Sequence, residues 1–128
     1  MVLFDEMGLD GSLIKAVKEL GFKEPTPIQE KVIPKILTGK NDLIAQAQTG
    51  TGKTAAFGLP ILQMSDAASR DTQSLILCPT RELCVQISSD LKKYSTFKDG
   101  LRVIPVYGGA SIETQIRSLK KGGQIVVG

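Results

Sequence analysis

A glycine-rich stretch, Ala47–Thr54, limits what this chain can fold into more than any other part of it. The stretch reads Ala-Gln-Thr-Gly-Thr-Gly-Lys-Thr and lies between an apolar run, Leu43–Ala45, and a helix-like run, Ala55–Leu59. A strand, a loop and a helix in that order are the context of a phosphate-binding P-loop. The general pattern, G-x-x-x-x-G-K-S/T, begins with glycine, whereas this chain has alanine there. A dinucleotide-binding G-x-G-x-x-G pattern is absent.

The residue types in this loop fit a nucleoside triphosphate. Gly50 and Gly52 allow a tight turn in which backbone N–H groups point at phosphate oxygens, and the next helix presents its positive end to the same anion. Lys53 can reach the β- and γ-phosphates, and the Thr54 hydroxyl can hold Mg²⁺. We therefore predict Lys53 and Thr54 as catalytic residues and Thr54 as the metal-binding residue; the alternative is a turn that binds nothing. The predicted cofactor-binding residues of the loop are Ala47, Gln48, Thr49, Gly50, Thr51, Gly52, Lys53 and Thr54.

Composition excludes several other classes of protein. The 128 residues make one domain at most, and 41% apolar residues are enough for a core. There is no histidine, so histidine-dependent acid–base and zinc schemes are excluded. Cys78 and Cys84 do not form a C-x-x-C, and we predict reduced, buried thiols in a cytoplasmic protein. Neither a signal peptide nor an apolar run of about 20 residues is present, so no membrane association is expected. The net charge of +3 is compatible with nucleic acid and equally with an ordinary solvated surface.

Apolar periodicity predicts alternating strands and helices. Strands are predicted over 41–47, 74–78, 102–107 and 124–128, and helices over 12–20, 27–37 and 52–64, with two further helices capped by Thr80 and Ser111. Ser12 is the predicted cap of the first helix, and Thr26 forms a predicted capping box with Gln29 at the start of the second. Pro34 is expected to bend that second helix or to end it early. The continuous apolar run at 74–78 is typical of a strand covered on both faces, and Pro105 favours a sheet edge or bulge. Such alternation predicts an open parallel α/β sheet. Its ligands would lie beyond the carboxyl ends of the strands, where the P-loop, Pro79–Glu82 and Gly108-Gly109 are predicted to line one rim.

Four segments in order resemble the first RecA-like domain of the DEAD-box RNA helicases, over essentially the whole chain. Gly21–Gln29 is similar to the Q motif of that family, which also places an isolated aromatic residue at the position of Phe4. The family's own motif I begins with alanine, as Ala47–Thr54 does. Pro79–Leu83 is similar to motif Ia, and Gly108-Gly109 to the GG motif. The resemblance implies an incomplete P-loop NTPase (RecA-like) sheet flanked by helices, with Q-motif helices in 1–40 and P-loop βαβ units in 41–128.

The resemblance also implies ATP and Mg²⁺ as cofactors, with adenine selected by Gln29. A glutamine amide can donate to N7 of adenine and accept from its N6–H₂ group, whereas guanine offers acceptors at both positions. Phe4, Phe22 and Thr26 complete the implied nucleotide site.

RNA is the implied partner of the second half of the chain. The implied RNA-binding residues are Pro79, Thr80, Arg81, Gly108 and Gly109. A hydroxyl and a guanidinium can both hold RNA phosphates, and the N–H of a glycine can approach one closely.

The resemblance further implies that the parent protein is an ATP-dependent RNA helicase with a second RecA-like domain. The Asp-Glu-Ala-Asp segment of the family, which supplies carboxylates for Mg²⁺ and the attacking water, is not in these residues. We therefore expect the chain to bind nucleotide without hydrolysing it and to contact RNA weakly. In the family's sheet two further strands separate the P-loop strand from 74–78. We therefore expect unpaired strand edges that favour self-association, strand swapping or a rearranged strand order.

Two other interpretations remain. A non-enzymatic P-loop module would bind many phosphates with little base preference. A metabolite kinase would also contain a P-loop, but nothing in that class requires the segments Pro25–Gln29 or Pro79–Glu82.

Overall fold

The computed structural model describes residues 2–128 and divides into two compact units, Met1–Met64 and Ser65–Gly128. The helical elements of the first unit are a 3₁₀ turn at Phe4–Glu6, α1 at Gly11–Glu19, α2 at Pro27–Thr38 and α3 at Lys53–Met64. The elements of the second unit are β1 at Ser74–Ile76, α4 at Arg81–Tyr94, β2 at Val103–Pro105, α5 at Ile112–Lys120 and β3 at Ile125–Val127. No helix among residues 2–128 combines the length and the apolar character that crossing a membrane requires.

The first unit has a helical core. Leu13 and Val17, one turn apart on α1, are completely buried, as an amphipathic helix requires. Ile33 of α2 and Leu59 of α3 are also completely buried, and these two helices pack against each other. Pro34 does not end α2 early, because the helix continues to Thr38.

Local capping chemistry sets the start of α2. The Thr26 backbone N–H donates to Oε1 of Gln29 at 3.0 Å, and the Gln29 N–H donates to the Thr26 hydroxyl oxygen at 3.5 Å. This is the predicted capping box. The predicted cap of α1 is wrong by two residues: Asp10, not Ser12, precedes the helix, and no side-chain bond caps it.

The second unit is built on a parallel sheet with the strand order β1-β3-β2. In the register, Ser74 and Val103 both lie opposite Ile125. The central strand is buried along its whole length. Pro105 lies on the edge strand β2, as predicted, where its missing N–H costs least. The parallel α/β fold class predicted from the sequence is therefore confirmed for this unit.

Two strand predictions need correction. Residues 41–47 form no strand, and Ile44 within them is 92% exposed. A strand needs a partner for its N–H and C=O groups, and the pairing of the described strands includes only β1, β3 and β2. The run at 74–78 is not covered on both faces either: Leu75 and Leu77 are exposed while Ile76 between them is buried. As an edge strand, β1 packs only one face against the core.

The two cysteines are free thiols, as predicted. Cys84 is buried, and its thiol donates to the carbonyl of Val127 at 3.2 Å. Cys78 is half-buried, so the prediction of a buried thiol is correct for Cys84 and wrong for Cys78. Burial raises the pKa of the Cys78 thiol above its ordinary value, and the nearby Cys84 raises it further. Since the thiolate is the reactive form, the raised pKa of Cys78 favours an inert thiol at that site.

Candidate functional site

The glycine-rich loop folds back on itself at the start of α3. Gly50 and Gly52 have φ angles of 79° and 82°, in the left-handed region that other residues avoid. The Thr51 hydroxyl donates to the Gln48 carbonyl at 2.6 Å and closes the turn. Because α3 begins at Lys53, the unpaired N–H groups of its first turn lie at the end of this loop. This is a geometry that suits an anion.

The Lys53 side chain lies across the loop. Its ammonium donates to the Ala47 carbonyl at 2.8 Å. A phosphate oxygen that bound Lys53 would replace this neutral acceptor with a charged one and make a stronger bond. Thr54 is the second residue of α3 and is half-buried, whereas Thr49 on the tip of the loop is exposed. The residues present thus fit a phosphate chain, with the Thr54 hydroxyl as the protein oxygen available to Mg²⁺.

Gln29 connects this loop to the start of α2. Its side chain is 1% exposed. While Oε1 accepts from the Thr26 N–H, Nε2 donates to the Gly52 carbonyl at 3.2 Å. The two contacts fix the orientation of the amide and use one lone pair and one N–H. One lone pair and one N–H are left, which is the set that an adenine edge requires. Because the side chain is buried, a base reaches them only after the packing over the amide opens.

The side chain of Gln29 lies so close to Gly52 that a larger residue does not fit at position 52. A Cβ atom built on Gly52 would overlap Nε2 of Gln29 and stand 3.2 Å from the Thr26 hydroxyl oxygen. The structure therefore brings Thr26, Gln29 and the P-loop together within the first unit. Sequence reasoning missed this contact, since 23 residues separate its partners and no local pattern signals it.

The two predicted aromatic residues lie side by side but differ in exposure. The ring centroids of Phe4 and Phe22 are 6.3 Å apart, with planes inclined at 37°. Phe4 is 1% exposed, whereas Phe22 is half-buried. Of the two, Phe22 has the accessible surface for a base, and Phe4 packs beside it.

In the second unit the structure brings together the loops that follow β1 and β2. Thr80 caps α4, since its hydroxyl oxygen accepts from the Leu83 N–H at 3.1 Å. Arg81 donates from Nη1 to the Gly108 carbonyl at 3.4 Å, and a Cβ on Gly109 would contact the same guanidinium. These residues and Pro79 are exposed. Because the strands are parallel, they form one rim at the carboxyl ends of the sheet. The P-loop, predicted as part of that rim, belongs to the first unit and follows no strand.

Comparison with known proteins gives consistent matches. A family model described as DEAD/DEAH box helicase matches residues 26–128. Over all 128 residues the chain is 59% identical to the ATP-dependent RNA helicase CshA of Listeria monocytogenes, and it covers 24% of that protein. The chain thus spans about a quarter of the length of this curated relative.

Solved structures agree with the family match. The crystal structure of a DEAD box protein from the hyperthermophile Methanococcus jannaschii matches with a TM-score of 0.93 and 37% identity, over 100% of this chain and 34% of that one. The DEAD-box helicase Mss116, bound to ssRNA and UDP-BeF, matches with a TM-score of 0.88 and 31% identity, over 99% of this chain and 28% of that one.

Proposed function

Because the chain belongs to the DEAD/DEAH box helicase family, we propose that it is the ATP-binding and RNA-contacting part of an ATP-dependent RNA helicase. The first unit binds ATP with Mg²⁺, and the second unit contacts RNA phosphates. The whole protein, with a second RecA-like domain, couples ATP hydrolysis to unwinding or remodelling of RNA in the cytoplasm. These 128 residues bind nucleotide without hydrolysing it, since they hold no Asp-Glu-Ala-Asp carboxylates.

The contact between Gln29 and the P-loop is the observation that carries this proposal. It puts an amide with one free donor and one free acceptor next to a loop suited to phosphates. Phe22 offers an apolar surface in the same unit. In a general phosphate-binding module Gln29 would serve only as the cap partner of Thr26 and as an anchor for Gly52, so base selection is the property that separates the two functions.

The rim around Arg81 supports the RNA part of the proposal. Its guanidinium is held by the Gly108 carbonyl through one nitrogen, and its other donors remain for a phosphate. Gly109 carries no side chain of its own, which lets a phosphate approach its N–H closely. Contacts of this kind position RNA without reading its sequence.

A nucleotide competition experiment tests the adenine site. We expect ATP to displace a fluorescent ADP analogue more effectively than GTP, by roughly 5- to 150-fold, because a good bidentate amide–base pair contributes about 1–3 kcal/mol. Gln29→Ala should lower the affinity for ATP to that for GTP and leave GTP binding nearly unchanged. A variant whose loop had collapsed would lose both nucleotides, so GTP binding serves as the internal control.

Two further variants test whether nucleotide binding depends on the P-loop lysine. Lys53→Ala should abolish binding of every nucleotide, whereas Lys31→Ala, at an exposed lysine of α2, should not change it. UTP and pyrophosphate belong in the series, since the matched Mss116 structure holds a uridine nucleotide. Equal binding of ATP, GTP, UTP and pyrophosphate would reject adenine selection and favour the non-enzymatic phosphate module.

A further inference from the structure

A second basic surface lies at the other end of the sheet from the Arg81 rim. Arg102 comes directly before β2, and Gln124 directly before β3. Together with Arg70 and Lys121 they line a groove of about 770 Å³, which we call the Arg70 groove. Because all three strands are parallel, this groove is at their amino ends and the Arg81 rim at their carboxyl ends.

The charges of the Arg70 groove are not balanced. Its lining contains three cations, Arg70, Arg102 and Lys121, and no carboxylate. All three are exposed, and none forms an ion pair within the described residues 2–128. In a groove along α4 the charges are balanced, since its lining contains Arg81 and Lys93 together with Glu82 and Asp90. An anion entering the Arg70 groove would be attracted by three cations and would meet no carboxylate in the lining.

Hydrogen bonds hold the walls of the groove in place. Gln124 is 2% exposed. Its Nε2 donates to the carbonyls of Ser69 at 2.8 Å and Gly100 at 3.1 Å, and its Oε1 accepts from the Arg102 N–H at 2.9 Å. One buried amide thus joins the segments that carry Arg70 and Arg102. The guanidinium of Arg102 also donates to the Gly122 carbonyl, beside Lys121.

We propose that the Arg70 groove binds phosphates of single-stranded RNA, as a contact separate from the Arg81 rim. The proposal rests on the proposed function, in that RNA is taken as the partner of the chain. Guanidinium groups bind phosphate with two parallel bonds. None of the large exposed apolar side chains lines the groove. An acidic protein segment would need such anchors, whereas a sugar–phosphate backbone does not.

The salt dependence of RNA binding tests this contact. Each phosphate contact on a single strand contributes about 0.7 to the slope of log K against log salt. Using the 128-residue chain and a labelled oligouridylate, we expect Arg70→Gln/Arg102→Gln/Lys121→Gln to reduce the slope by about 2. Because the Arg102 guanidinium also bonds to the Gly122 carbonyl, replacing it could disturb the groove. A second variant, Arg70→Gln/Lys121→Gln, keeps that bond and should reduce the slope by about 1.4. Circular dichroism verifies that both remain folded.

A matched variant controls for net charge. Lys31→Gln/Lys35→Gln/Lys40→Gln removes the same charge from exposed lysines of the first unit and should leave the slope unchanged. If the groove variants changed the slope no more than this control, the Arg70 groove would be rejected. If the wild type bound polyglutamate and the groove variants did not, while the salt slope of RNA binding was the same in all of them, the groove would be assigned to acidic proteins and the proposal would be overturned.

The Arg81 rim distinguishes failure of the groove from failure of the proposed function. If Arg81→Gln lowers the slope and the groove variants do not, RNA binding stands and only the groove is rejected. If the wild type binds no RNA even at low salt, the RNA part of the proposed function and the groove are rejected together.

Discussion

At the scale of single residues, Gly50 and Gly52 form a natural pair for separating backbone strain from a lost contact. Both have positive φ angles, of 79° and 82°, so alanine at either position costs about 1–2 kcal/mol from the left-handed conformation alone. A Cβ on Gly50 would meet nothing within 4 Å, whereas one on Gly52 would overlap Nε2 of Gln29. Alanine therefore strains the backbone at both positions, but only alanine at position 52 also displaces the Gln29 amide.

We predict that Gly52→Ala destabilises the protein more than Gly50→Ala and is the only one of the two that lowers the preference for ATP over GTP. Urea unfolding measures the free-energy difference, and nucleotide competition measures the preference. Equal effects of the two substitutions on base preference would show that the contact between Gln29 and Gly52 does not orient the amide for the base.

At the scale of elements, α4 carries a titratable group in its packed face. Tyr94, in the last turn of the helix, is buried. Burial raises the pKa of its hydroxyl to about 12, and the charge of Asp90 one turn earlier adds to the effect. The folded protein thus keeps its proton at pH values where the unfolded chain, with an ordinary pKa near 10, releases it. Stability from this group is complete below about pH 10 and is lost as the pH rises towards 12.

The corresponding prediction is a fall in unfolding free energy between about pH 10 and 12 that Tyr94→Phe reduces. Chemical denaturation at a series of pH values measures it. Lysines also titrate in this range, so the difference between wild type and variant is the informative quantity, not the fall itself. Parallel curves for the two proteins would contradict a raised pKa for Tyr94.

Elements that depend on neighbouring residues could be predicted from the sequence, whereas those that depend on distant partners could not. Helix starts at Thr26, Thr80 and Ser111 were correctly predicted, because a cap depends on residues within three positions of each other. The strand expected at 41–47 was wrong, since an apolar run becomes a strand only when another strand pairs with it. The contact between Gln29 and Gly52, like the convergence on the Arg70 groove, joins distant segments and has no local pattern.

At the scale of the whole molecule, large apolar side chains are unusually exposed. Ile44 is 92% exposed, Leu77 78%, Ile112 70% and Leu75 63%. Ile44 lies in the segment predicted as the P-loop strand, and Leu75 belongs to the edge strand β1. Unpaired backbone groups together with apolar side chains make a surface that tends to pair with another chain. A second copy of this chain offers the same surfaces, so self-association is the expected behaviour of the isolated 128 residues.

We predict that sedimentation velocity shows association of the wild-type chain that increases with concentration, and that Ile44→Lys/Leu77→Lys suppresses it. Two added lysines weaken association through electrostatic repulsion wherever they are placed. The matched control is therefore Gln86→Lys/Ser89→Lys, at two exposed polar positions of α4. Suppression by the first pair and not by the second would place the contact at the apolar segments. A wild type that stays monomeric at every concentration, with strong hydrogen-exchange protection of 43–47, would contradict the prediction, because that protection requires the segment to be paired within a single chain.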